Sequence, residues 1–285
     1  MKRIFSSILL IITLFMVTRV FAQNAYSPEM LKAFADDLYV QGFWDEAESE
    51  YKRYFFAVNN AAIDDNSVLN LSHIYFQEKN KTGIEWINSN LKRSCGFAVQ
   101  SRLEYIDASF MFRERNAGAW HLFYCSLLER TEYLEKLSPE WKILYALSFE
   151  ILEKNIKLAA ETANKGTLYS SSFASVAVAC ENYNQKSGAL ALCMSALVPG
   201  TGKWYSGNFW AGLSDFFTIG SCTAAAVYYG KQKGAKDWRP WTYGSLAALF
   251  YIVDLYGSYT GTRRYNSAQY NNLCVQVDNL YEQLY

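Results

Sequence analysis

The stretch that decides the fold is 209–230, FWAGLSDFFTIGSCTAAAVYYG, followed after a short link by 241–261, WTYGSLAALFYIVDLYGSYTG. As a helix, each is long enough to cross a bilayer, because about 20 residues rise about 30 Å. Each carries a single charge, Asp215 in the first and Asp254 in the second. The pattern predicts two spans joined as a membrane hairpin. A soluble core hairpin is the competing reading, favoured by small residues such as Gly220, Ala224 and Ala226.

Charge sets the expected topology. The link 231–240 carries Lys231, Lys233, Lys236 and Arg239 against Asp237 alone, so it is expected to face the cytoplasm. Tyr228, Tyr229, Trp238, Trp241 and Tyr243 then belong at the inner interface and Tyr256, Tyr259 and Tyr265 at the outer one. At about 1.5 Å per residue, Asp215 and Asp254 lie at a common depth, roughly 10 Å inside the outer end. Charge at that depth is costly, so the two acids form a candidate intramembrane polar pair, facing one another or a shared base such as Lys203, Arg263 or Arg264. A structural polar contact, a cation or proton site, and snorkelling to the interface are the open roles.

Upstream of the hairpin, the N-terminus reads as an export signal at 1–22, with basic Lys2 and Arg3, an apolar run 8–17, and Val20 and Ala22 before Gln23. An uncleaved anchor is the alternative, favoured by Arg19. Removing Lys2, Arg3 and Arg19 lowers the basic count from 27 to 24 against 27 acids, a mature charge near −3. Such a balance gives no reason to expect nucleic acid as a partner. The cysteines Cys95, Cys125, Cys180, Cys193, Cys222 and Cys274 show no metal-ligand spacing, so neither a metal nor a cofactor is expected. His73 and His121, the only histidines, have no nucleophile or carboxylate cluster nearby in sequence, so no catalytic residue is expected and the chain does not read as an enzyme.

Between 23 and 186 apolar residues recur at helical spacing, and Pro139 is the only proline after Pro28. The clearest unit is 31–56, where Phe34, Leu38 and Tyr39 on one helix precede Gly42, Trp44, Ala47 and Tyr51. Small Ala47 lets two antiparallel helices approach, with Trp44 and Tyr51 filling the space beside it. Breaks follow at 79–81, 115–116 and 153–155, dividing off weaker pairs, with a fifth pair expected over 169–198. Gly42, Trp44, Ala47 and Tyr51 together resemble the tetratricopeptide repeat, whose paired helices pack an aromatic, an alanine and a second aromatic at these offsets. An irregular helical bundle is the alternative.

Just before the first span, residues 199–207 read PGTGKWYSG. A phosphate loop needs a glycine at Leu197 and a hydroxyl residue at Trp204, so that match fails. Instead Pro199 ends a helix, Gly200 and Gly202 allow a tight turn, and Trp204, Tyr205 and Trp210 suit headgroup depth. Pro199, Gly200, Gly202, Tyr205, Gly207 and the late Asp254 resemble the small two-span TM-two domains and their bacterial relatives fused to tetratricopeptide repeats, with Lys203 where those relatives tend to carry glutamine. That resemblance implies a membrane hairpin and no agreed activity.

The expected architecture is therefore all-α: a tetratricopeptide-like array over 23–186, a TM-two-like hairpin over 187–266, and a tail helix over 267–285. Its expected partners are membrane lipid and a protein bound to the repeat surface. The expected location is the inner membrane, with repeats and C-terminus on the periplasmic side. The expected role is a scaffold for protein–protein interaction. The alternative is a small oligomeric transport or channel component using the two acids.

Overall fold

A computed structural model describes residues 27–58 and 63–285, all of whose regular structure is helical. The export signal expected at 1–22 lies outside the described residues. The described residues form two compact units, one ending at Trp141 and one spanning Lys142–Tyr285. This division falls inside a helix rather than at the expected boundary near residue 186.

The first unit runs through α1 (Pro28–Gln41), α2 (Trp44–Val58), α3 (Asp65–Gln77), α4 (Lys81–Asn90), α5 (Phe97–Arg113), α6 (Ala117–Glu129) and α7 (Thr131–Lys136) into the start of α8 (Pro139–Leu152). The second continues with α9 (Ile156–Gly166), α10 (Phe173–Glu181), α11 (Gly188–Leu197), α12 (Thr201–Tyr205), α13 (Phe209–Lys233) and α14 (Trp238–Gln283). Side chains that accept from backbone N–H groups start many of them, including Ser27 before Pro28 and Asp64 before α3.

One turn recurs. Gly42, Lys79, Arg115 and Lys154 all have positive φ, at intervals of about 36 to 39 residues. After Lys79, Arg115 and Lys154 comes Asn80, Asn116 or Asn155, whose side chain caps the next helix. At Gly42 and Lys154 the following N–H reaches five residues back, Phe43 to Leu38 and Asn155 to Glu150, which closes the helix end with the left-handed cap. Register is kept around every turn. Seven residues before it stand Ala35, Ser72, Ala108 and Leu147, and five after it stand Ala47, Ile84, Trp120 and Ala159, all at most 1 % exposed. Equivalent positions around each turn are thus buried even where the side chains differ.

The first pair departs from expectation at one residue. Ala47 and Tyr51 are fully buried, and the Tyr51 hydroxyl donates to Asp36 at 2.6 Å while accepting from Asn70 at 2.9 Å. Trp44, expected to fill space beside Ala47, is 36 % exposed and meets the His73 ring in an edge-to-face contact. The side chains of Asn70 and Asn80 are engaged in this hydrogen bond and in capping α4.

In the second unit α9 pairs with α10, and α10 and α11 both pack on α14. The pair expected over 169–198 is therefore not a pair: α11 turns away to join α12 and α14. The tail expected as a separate helix from 267 is the continuation of α14, since no glycine or proline interrupts 262–283. Its end returns to α8, where Tyr281 and Ser148 hydroxyls lie 2.9 Å apart. The expected spans fall on α13 and the first half of α14, which pack along one another. Among the described residues, no helix is long and apolar enough to cross a membrane. With α13 at 25 residues, the shortfall lies in apolarity, lowered by the acid and by the many Gly, Ser, Thr and Tyr residues.

Candidate functional site

The motif 199–207 folds as a latch between α11, α13 and α14. Val198 leaves the helix, Pro199 cannot continue it, and Gly200 turns with φ +86°. The Gly200 N–H donates to Asp254 Oδ2 at 2.8 Å. Two residues on, the Gly202 N–H donates to Ser195 Oγ at 3.0 Å, and Ser195 shares a 2.7 Å hydrogen bond with Ser258. These contacts pair turn amides that the apolar surroundings would otherwise strand.

Close backbone approach explains the glycines. A Cβ on Gly200 would overlap the carbonyl of Gly212, and one on Gly212 would overlap the carbonyl of Gly200 and the Trp204 indole. A Cβ on Gly202 would meet the Ala191 carbonyl and Ser258. Gly207, with φ +94°, repeats the turn seen in the first unit, as the Asn208 N–H reaches back to Lys203 O at 2.8 Å. Gly212 occupies the position five residues on.

Lys203 stands between the two acids. Its Nζ bonds Asp215 Oδ2 and lies 3.7 Å from Asp254 Oδ1. Asp254 is fully buried, and the Lys203 and Asp215 side chains are only 14 % and 27 % exposed. The lysine stem reaches this place over Gly257, where a Cβ would come within 2.6 Å of Lys203 Cε. Arg263 and Arg264, the other candidate bases, take no part in these contacts.

Tyr205 fixes the outer edge. Its hydroxyl accepts from Ser187 N at 3.1 Å and its carbonyl accepts from Lys186 Nζ at 2.7 Å. Asn266 holds the Lys186 backbone from the other side, accepting from its N–H at 2.9 Å and donating to its carbonyl at 2.8 Å. Trp204, expected at headgroup depth, turns inward and stacks on Phe209, whereas Trp210 is 78 % exposed.

Ser195, Gly212, Gly257, Ser258 and Asn266 were not singled out from sequence. The signal available was the spacing of Asp254, Ser258, Gly261 and Thr262, four small or polar residues on one face of an otherwise apolar helix, all buried. Elsewhere, His73 Nδ1 lies 2.8 Å from the Tyr39 hydroxyl, and the six cysteines are free. No group of three His, Cys, Asp or Glu side chains among the described residues is placed to hold a metal ion. Compared with family models, curated proteins and solved structures, the chain matches none.

Proposed function

We propose that the chain is a membrane-anchored scaffold, in which α13 and the first half of α14 lodge among lipids while the helix pairs offer a tetratricopeptide-like surface to a partner protein on the periplasmic side. The observation that carries this reading is the inverted face of α14. Asp254 and Ser258 are fully buried while Ile252 and Val253 are 65 % and 52 % exposed. Burial of apolar surface dominates folding in water and favours the opposite arrangement. Beside lipid, apolar side chains face outward and polar groups bond to one another inside the bundle.

The limited apolarity of these helices fits that placement when the polar atoms are followed individually. Asp254 accepts from Gly200, Asp215 is neutralised by Lys203, and Thr223 donates back to Ile219 O at 2.8 Å. Each such contact reduces the cost of placing that residue in lipid. The same geometry weighs against the transport reading, because both acids converge on one lysine inside the hairpin and leave no acid on its outer face. The recurring turn and its fixed register support the repeat reading of the helix pairs.

Placement is tested in cells. A reporter fused after Tyr285 is expected to be active only outside the cytoplasm, and the protein to stay with membranes through an alkaline carbonate wash. Release by carbonate would remove the anchor. Protection of both the helix pairs and the tail from protease added to spheroplasts would reverse the topology.

A further inference from the structure

We propose that the groove between α1 and α2 binds a basic peptide segment through one large apolar side chain, an inference that rests on the scaffold reading and names the chemistry of its partner. The groove is about 380 Å³ and is lined by Phe34, Leu38, Asp45, Glu46, Ser49 and Glu50. Its floor, Phe34 and Leu38, is apolar, and Phe34 is 52 % exposed. Its wall is acidic. A volume of this size accepts an apolar anchor with room for little more, the arrangement by which a short peptide is held.

Charge selects the occupant. Helices α1 and α2 carry seven acids against three bases, and all three bases are engaged. Lys32 lies 3.4 Å from both Asp36 and Asp64, Lys52 is 2.5 Å from Glu48, and Arg53 is 2.7 Å from Glu50. Asp45 and Glu46 stand exposed at the groove with no salt bridge to any described residue. Acids in the first turn of α2 favour the helix through its dipole, which accounts for their presence there. It does not account for an exposed Phe34 beside them. An apolar residue flanked by lysine or arginine satisfies both features, and an acidic segment is repelled.

The test uses the full chain in detergent and a fluorescent peptide of alternating lysine and leucine, with the glutamate–leucine peptide as its counterpart. Anisotropy is expected to report binding of the first only, weakening as salt is raised. Phe34→Ser and the double change Asp45→Asn with Glu46→Gln are each expected to weaken it about tenfold, while Glu132→Gln leaves it unchanged. Circular dichroism of each variant separates lost binding from lost folding. Equal binding of the two peptides, or affinities within about twofold for folded groove variants, overturns the proposal. Partner cross-links in cells that persist in Phe34→Ser would place the partner elsewhere on the repeats, sinking the groove and leaving the scaffold intact.

Discussion

At Gly42 the chain turns into α2 and crosses α1 at Ala47, and at Gly207 it turns into α13 and crosses the latch at Gly212. Both turns use positive φ and a backbone bond five residues back. Around Gly42 there is open space, since a Cβ there would meet nothing within 4 Å, and the neighbouring helices are held by side chains such as Ala47 and Tyr51. Around Gly200 and Gly212 the two backbones touch, the Trp204 indole lies against Gly212, and the turn amides bond to Asp254 and Ser195. The same turn therefore serves two kinds of packing. One excludes water by filling volume, whereas the other removes volume so that backbone dipoles meet.

The largest effect expected from this contrast is at Gly200. Gly42→Ala incurs only the left-handed conformation, about 1–2 kcal/mol. Gly200→Ala adds displacement of the Gly212 backbone, for a total on the order of 4 kcal/mol, the range reserved for broken cores. Hydrogen exchange is expected to collapse across α11–α13 in Gly200→Ala and to change little across α1–α2 in Gly42→Ala. Equal, mild effects at both sites would erase the distinction.

Next in size is Asp254. Leucine there leaves Lys203 half satisfied and the Gly200 N–H unpaired in a buried site, a loss of about 3–5 kcal/mol. Asparagine retains an acceptor for Gly200 and is expected to cost less than half as much. Cysteines at 215 and 254 in a Cys-free chain test the convergence directly. Failure to cross-link in a folded protein would show that the two acids do not converge on Lys203.

The first unit answers to volume. Ala47→Leu forces a branched side chain into a fully buried helix crossing and is expected to cost about 1–3 kcal/mol, read as a lower melting temperature of the first transition. Ala33→Leu on the exposed face of α1 serves as its control. If both substitutions are neutral, the crossing at Ala47 is not tightly packed and the comparison loses its first term.

Much of this was legible in the sequence and the rest was hidden for identifiable reasons. The breaks at 79–81, 115–116 and 153–155 contain the turns at Lys79, Arg115 and Lys154, because asparagine after a charged residue marks a cap even without glycine. Glycines at 200, 202 and 207 pointed to a tight structure. Their contact with Gly212 did not show, since backbone approach between distant residues leaves no periodic trace. Helical spacing locates α10 and α11 without naming their neighbours, so the packing of both on α14 leaves no trace in the pattern. The offset of Trp44 in the motif matches the repeat, but an offset does not fix how deeply a side chain is buried, and Trp44 is 36 % exposed.

Acidity gives a smaller test confined to the first unit. Burial pushes the Asp107 carboxyl up from 3.8 to about 6, against the opposing pull of Lys92 and of Asn88, whose Nδ2 donates to both oxygens; Glu104 and Glu85 push further upward. The folded state therefore holds the proton more tightly than the unfolded chain. Stability from this group is fully present below about pH 4 and is lost as pH rises through about 6, by at most about 3 kcal/mol. Exchange protection of α4 and α5 measured across that window is expected to fall, and Asp107→Asn to flatten the dependence. A protection profile that rises with pH would reverse the sign assigned to this carboxyl.

The smallest effect is a gain, and it bears on whether the recurring turn is one device. Lys154 adopts φ +61° at a position where Gly42 sits in the first pair. A left-handed non-glycine residue costs about 1–2 kcal/mol, and glycine gives back about 0.5–1 kcal/mol through the freedom it adds to the unfolded chain. Lys154→Gly is thus expected to stabilise the second unit by up to about 1 kcal/mol, and Lys79→Gly to do the same in the first. Lys154 Nζ also lies 6.0 Å from the Tyr270 ring, a weak attraction that glycine removes and that trims the gain. Thermal unfolding of the two variants compares them directly. Stabilisation at both sites fits a common turn used throughout the chain, while destabilisation at both would mean that the left-handed residues are held by their side chains and that the shared backbone form is incidental.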